Sequence, residues 1–333
     1  MKIRISIIFA ALGALASLPA NAALTGFQTY TGTVGVSTDG FGSLSNTGTI
    51  SASVPTGATV VAAYLYTAVF RNQAHVGVSG TLNGTAVAYG PSVPNTSPTA
   101  LGCCALSSAR ADVTSIVAAV INGGGGGVYD FTVTEGASTQ DGEALVVVYT
   151  LASLPTATVG ILDGFSAVTG DTTAINFTAP LDPTAPGFFA EMMIGDSFSC
   201  CNQQSSITVN GTLITTVAGN NDDGAQVADG SLITVGSFND PYSSLLPAYT
   251  DDHERYNLVP RITAGDTSIH VTTLNPDGTD NIFLAVFNVS GIAGINEPPP
   301  DTGPPTAVPE PGTLGLLGAG LLAFAMRKRR STN

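Results

Sequence analysis

The chain has 333 residues, of which 24 are Asp or Glu and 10 are Lys or Arg, for a formal charge of −14. Only 10% of residues are charged while 44% are hydrophobic, which excludes an acidic disordered chain and leaves ample material for a buried core. The bases sit at the two ends: from Ala23 to Pro309 there are 23 acids against 4 arginines, a balance that repels phosphate and excludes nucleic acid and anionic lipid as partners.

In residues 1–22, Lys2 and Arg4 precede an apolar run from Ile5 to Leu18, and Ala20-Asn21-Ala22 follows as a small-x-small site. Charge, apolar core and small residues in that order read as a signal peptide cut by signal peptidase, so the mature chain is expected to start near Ala23.

The body is rich in Gly, Thr and Ser, with short apolar runs bounded by turn residues, a pattern that predicts an all-β fold. One order of elements occurs twice. In the first copy a long strand at 60–70 is followed by 76–82 and 85–89, joined by Asn83-Gly84, the strongest short-range hairpin signal. Apolar residues at 113, 116, 117, 120 and 121 have helical spacing, with Asp112 as expected N-cap and Asn122-Gly123 as stop. Strand 128–134, a turn at Asp141-Gly142 and strand 143–151 complete this copy. Strands 158–163 and 172–178 bridge to the second copy. There a strand at 188–194 leads to a hairpin at 207–217 through Asn210-Gly211, a one-turn helix from Asn257 to Gly265, strand 267–273, a turn at Asp277-Gly278 and strand 281–289. These elements predict two related β-sandwich, jelly-roll-like modules, each with one short helix, at residues 23–165 and 166–296. One large sandwich is the alternative.

Residues 297–307 are a proline-rich linker, extended and semi-rigid. Thr313 to Met326 is uncharged and is closed by Arg327, Lys328, Arg329 and Arg330. As a helix, such a segment reaches only ~21 Å against a ~30 Å hydrocarbon core, a marginal transmembrane span with its basic end on the cytoplasmic side. Val308-Pro309-Glu310-Pro311, the Gly/Leu-rich helix and the basic cluster together resemble the PEP-CTERM sorting signal, over residues 308–333. The resemblance implies recognition by an exosortase in the inner membrane of a Gram-negative bacterium, followed by delivery to the cell surface or to an exopolysaccharide matrix.

Four cysteines form two adjacent pairs, Cys103-Cys104 and Cys200-Cys201. In an exported chain they are expected as disulfides, and since bonding neighbours strains the ring, the two remaining pairings both join the two segments. Touching cysteines do not have the spacing of a structural zinc site. Of three histidines, His270 alternates into a strand, His253 lies in a polar run and His75 in a polar turn. Gly195-Asp196-Ser197 matches the nucleophile motif of one serine-esterase family. Those enzymes are α/β with a later Asp-x-x-His, whereas this motif lies mid-chain in a β region. Asp222, Asp223, Asp251, Asp252, Asp277 and Asp280 lie in Gly/Asn-rich segments without lysine, and are candidate Ca²⁺ ligands or a solubilising coat. No other cofactor is indicated. These features lead to the expectation of a non-enzymatic exported surface or matrix protein. A carbohydrate-binding module is the alternative, with Tyr64, Tyr66, Tyr242, Tyr249 and Tyr256 as stacking candidates in place of the absent Trp, and a secreted hydrolase is a third reading.

Overall fold

Asn83 and Gly84 have φ of 49° and 72°, and Asn210 and Gly211 have 45° and 79°. Positive φ at both central residues is the tight hairpin turn whose twist matches its strands. In each turn the asparagine also ties a third strand. Asn83 Oδ1 accepts from Thr132 N and Asn210 Oδ1 from His270 N, both at 2.8 Å. The Asn83 and Asn210 N–H groups donate back to Thr132 O and His270 O at 2.7 and 2.9 Å. The same pair of bonds therefore occurs once in each half of the chain.

The computed structural model of the chain describes residues 24–42, 45–70, 78–91, 93–94, 106–136, 139–167, 169–197, 205–219, 233–275 and 281–300. Its first half contains β1 (Thr25–Gly32), β2 (Val34–Phe41), β3 (Thr47–Val54), β4 (Thr59–Phe70), β5 (Gly80–Leu82), β6 (Thr85–Val87), β7 (Val93–Pro94), β8 (Leu106–Asp112), helix α1 (Thr114–Ile121), β9 (Gly127–Glu135) and β10 (Gln140–Thr150). The second half contains β11 (Ala157–Asp163), β12 (Asp171–Phe177), β13 (Ala190–Ser197), β14 (Ser205–Val209), β15 (Thr212–Ala218), β16 (Ile233–Val235) and β17 (Arg255–Asn257). A 3-10 turn (Val259–Arg261), β18 (Ser268–Leu274), β19 (Asn281–Ser290) and β20 (Ala293–Ile295) follow. All described strands belong to one compact unit that ends at Pro299.

These strands form four antiparallel sheets. Two inner sheets have the orders β2-β10-β4-β8-β7 and β1-β11-β19-β13-β16, with β17 also on β13. Two outer sheets have the orders β3-β9-β5-β6 and β15-β14-β18-β12-β20. Strand for strand, β2-β10-β4-β8 matches β11-β19-β13-β17, and β3-β9-β5-β6 matches β12-β18-β14-β15. β1, β7, β16 and β20 are additions to this shared frame.

Three apolar cores explain the strand sequences. One lies between each inner sheet and its own outer sheet, around Ile50, Leu65, Phe131, Leu145 and Val147 in the first half and Ile194, Ile207, Val271 and Phe287 in the second. The third joins the two inner sheets, with Tyr66, Val146 and Val148 packed against Val159, Ile161, Phe283 and Val286. Inner strands are thus covered on both faces and lose the polar alternation of a half-exposed strand. Residues 143–148 of β10 are buried without a break. Burial of each Leu or Val in this run contributes about 1.5–3 kcal/mol.

The structure corrects three sequence expectations. Asp141-Gly142 is not a turn but a bulge inside β10, where the pairing with β4 shifts register and Gly142 has φ of 148°. Asp112 is the last residue of β8, paired with Tyr64, so α1 begins only at Thr114, with Val113 as N-cap; Asp112 Oδ1 still accepts from Thr114 N at 2.9 Å. The helix expected at 257–265 is a single 3-10 turn. Asn257 is held in the sheet opposite Glu191, and Pro260, lacking an N–H, is tolerated only in a first turn.

Candidate functional site

β4, β9, β13, β15 and β18 end, and β5, β10, β14 and β19 begin, at one pole of the fold. Each half carries a set of buried carboxyl groups there. In the first half Glu143, following the β10 bulge, is fully buried. Its Oε2 accepts from Tyr89 OH at 2.7 Å and its Oε1 from Gln140 Nε2 at 3.0 Å. Burial, together with the neighbouring Glu135 charge, pushes the Glu143 carboxyl well above the usual range. Glu135 ends β9 and is buried beside Asp141, and Glu135 Oε1 and Asp141 Oδ2 have no hydrogen-bond partner among the described residues. Burial, then the Asp141 charge, pushes Glu135 up to about 8, and burial pushes Asp141 up to about 7.

In the second half the run Tyr249-Thr-Asp-Asp-His-Glu254 leads into β17. Asp252 is fully buried and accepts from Ser243 Oγ at 2.9 Å, Tyr256 OH at 2.8 Å and Thr215 Oγ1. Glu254 is also fully buried, with φ of 51°, and accepts from Gly219 N at 3.0 Å and Thr234 Oγ1 at 2.8 Å. Burial and then the Asp252 charge raise the Tyr256 hydroxyl well above its ordinary value. These carboxylates tie β15, β16 and β17 together beneath the pole. Glu191 does the same on the flank, accepting from Arg255 Nη2 at 2.9 Å, Tyr242 OH at 2.8 Å and Asn288 Nδ2 at 2.9 Å.

The sequence-selected residues are distributed unevenly across this picture. Asp251 is exposed in a turn, its N–H bonded to Ala248 O at 2.9 Å, while the adjacent Asp252 points inward. Asp222, Asp223, Asp277, Asp280, the four cysteines, His75, the signal peptide, and the sorting residues Val308 to Pro311 and Arg327 to Arg330 lie outside the described residues. His270 is exposed on β18 as expected. Asp196 and Ser197 of the Gly-Asp-Ser motif are buried in β13. Tyr64, Tyr66 and Tyr256 are buried in the cores and cannot stack on a sugar from solvent, whereas Tyr242 is exposed. Glu135 and Glu143 were missed by sequence reasoning; the available signal was a Glu joined directly to the uninterrupted apolar run 144–148.

Residues 307–330 match the PEP-CTERM protein-sorting motif. The motif implies an exported surface protein processed by an exosortase. No curated protein and no solved structure matches the chain.

Proposed function

We propose that the chain is a non-enzymatic surface or extracellular-matrix protein, two β-sandwich modules carried to the envelope by an N-terminal signal and a C-terminal sorting tail. The observation that carries this reading is the sorting motif at 307–330, just beyond a body whose last described strand ends at Ile295. The proline-rich linker between them, at ~3.1 Å per residue, is long enough to hold the body clear of a membrane while the tail is cut. Signal peptidase and an exosortase are its processing partners, and exopolysaccharide is its surroundings. Placing alanines at Pro309 and Glu310 in the native host is the test. The reading expects the precursor to accumulate in the inner-membrane fraction. Unchanged release of the mature form would reject it.

A second reading, a carbohydrate-binding module, is favoured by one observation. A solvent-open cleft of about 500 Å³, lined mainly by polar side chains, lies on the second half between the Asn210-Gly211 turn, the 3-10 turn and β18. A glycan array separates this reading from a purely structural role.

A further inference from the structure

The duplicated frame supplies its own control for that cleft. Of the four arginines in the body, Arg110 pairs with Asp163, Arg255 pairs with Glu191, and Arg71 lies outside the described residues. Arg261 forms no ion pair and no side-chain hydrogen bond among the described residues. It ends the 3-10 turn and lines the cleft together with Asn210, Thr212, Asp266, Ser268 and His270.

By the register of the two hairpins, His270 stands where the first half has Thr132, and Ser268 where it has Asp130. Asp130 is bonded to Ser51 Oγ at 2.8 Å, and α1, which replaces the 3-10 turn there, carries no base in its last turn. The second half therefore presents an uncommitted guanidinium and an imidazole where the first presents a carboxylate. In a chain at −14 such a placement runs against the composition.

We propose that this cleft binds a saccharide carrying an isolated carboxylate, a uronate unit flanked by neutral sugar. The planar guanidinium of Arg261 matches a carboxylate with two parallel hydrogen bonds. Around it, Thr212, Ser268 and His270 offer short polar groups to sugar hydroxyls. Asn210 Nδ2 is already held by Arg261 O at 2.8 Å, and His270 Nε2 lies 3.1 Å from Ser268 Oγ, so the wall is pre-set. Asp266 accepts from Thr263 N through Oδ2 at 2.8 Å, leaving its other oxygen to accept a ligand hydroxyl. That carboxylate, lining the same cleft as Arg261, disfavours a second negative charge and hence phosphate, while the acidic body repels densely charged polymers. Among the described residues no Phe, Tyr or Trp lines the cleft, so charge and hydrogen bonds carry recognition rather than stacking on a large ring.

The inference rests on the carbohydrate-binding reading and sharpens it to one ligand class. The full chain is titrated by calorimetry with a disaccharide containing one glucuronate, with its neutral hexose counterpart and with inorganic phosphate. The uronate is expected to bind at least ~10-fold more tightly than the neutral sugar, and phosphate not to compete. Arg261→Ala is expected to lose ~10-fold or more of the uronate affinity with little change in the thermal melt, because the side chain makes no ion pair or hydrogen bond among the described residues. Equal binding of both disaccharides at the cleft would overturn the carboxylate assignment and leave carbohydrate binding standing. Phosphate binding as tight as uronate would overturn the saccharide class, and full affinity in Arg261→Ala would overturn the site. Binding of neither sugar would overturn the inference and the carbohydrate reading together, without touching the sorting assignment.

Discussion

Glu135, Asp141 and Glu143 are acids that the first sandwich holds away from water, and the consequence is a definite dependence of stability on pH. All three are raised in the folded state, Glu135 to about 8 and Asp141 to about 7, against an unfolded value near ~4. The native state then binds more protons than the unfolded state between those limits, so stability falls as pH rises. The contribution is fully present below about pH 4 and is lost as pH climbs through about 7 and about 8. Thermal melts are expected to show a higher Tm at pH 5 than at pH 8.5. Glu135→Gln is expected to raise the Tm at pH 8.5 and flatten the slope, since the amide has no charge to desolvate. A Tm that rises with pH, or a variant with the parent slope, would refute this. Little of it was legible from the residues alone, beyond the Glu that borders the apolar run 144–148. Asp141-Gly142 has the look of a loop, and only the double covering of β10 shows that its flanking acids are inside.

At the scale of elements, what the sequence displayed most clearly were features enforced by local chemistry. Asn-Gly turns demand positive φ, and both hairpins formed where they were expected. The long strands β4, β10 and β19 announced themselves by apolar runs. β8 escaped notice because its buried residues are mostly Ala and Ser, in the segment Leu106–Asp112 (LSSARAD). In β1, β2 and β3 the few apolar residues are separated by Gly, Ser and Thr, so that β3 buries only Ile50, Ala52 and Val54 and no apolar run marks the strand. The β10 bulge is the clearest case of tertiary context prevailing over a local signal. A Cβ at Gly142 would lie 2.2 Å from Ile233 Cγ2 and 2.5 Å from Phe41 O, so glycine is what lets the two halves close on each other. Gly142→Ala is expected to cost backbone strain plus ~1–3 kcal/mol of overpacking. Gly84→Ala, at a turn with nothing near the added carbon, is expected to cost only the ~1–2 kcal/mol of a left-handed L-residue. Denaturant titration of the two variants tests the difference, and equal losses would contradict the close approach.

Over the whole molecule, the third core and a polar seam hold the halves together. Arg110 of β8 pairs with Asp163 of β11 while lying 3.3 Å above the Phe27 ring, and Tyr30 OH meets Tyr64 OH at 2.6 Å. The described residues nearest the two cysteine pairs in sequence approach each other at this seam. Leu106, two residues after Cys104, shares the inter-sheet core with Ile233, whose strand partner is Ser197, three residues before Cys200. We therefore expect non-reducing peptide mapping to find bridges between the 103–104 and 200–201 pairs. Closing a loop of about a hundred residues contributes ~4–5 kcal/mol in the chain-entropy treatment. Free thiols, or bonds between neighbours only, would reject the cross-link. The destination of the molecule was the most legible property of all, because an address is read linearly by a processing enzyme and needs no fold, whereas the cleft around Arg261 exists only after distant turns meet. The most direct test of the central claim is the intact mass of the protein recovered from outside cells of its native host. The account expects a mass that lacks Met1–Ala22 and the Arg327–Arg330 cluster, and an extracellular form still carrying that cluster would contradict it.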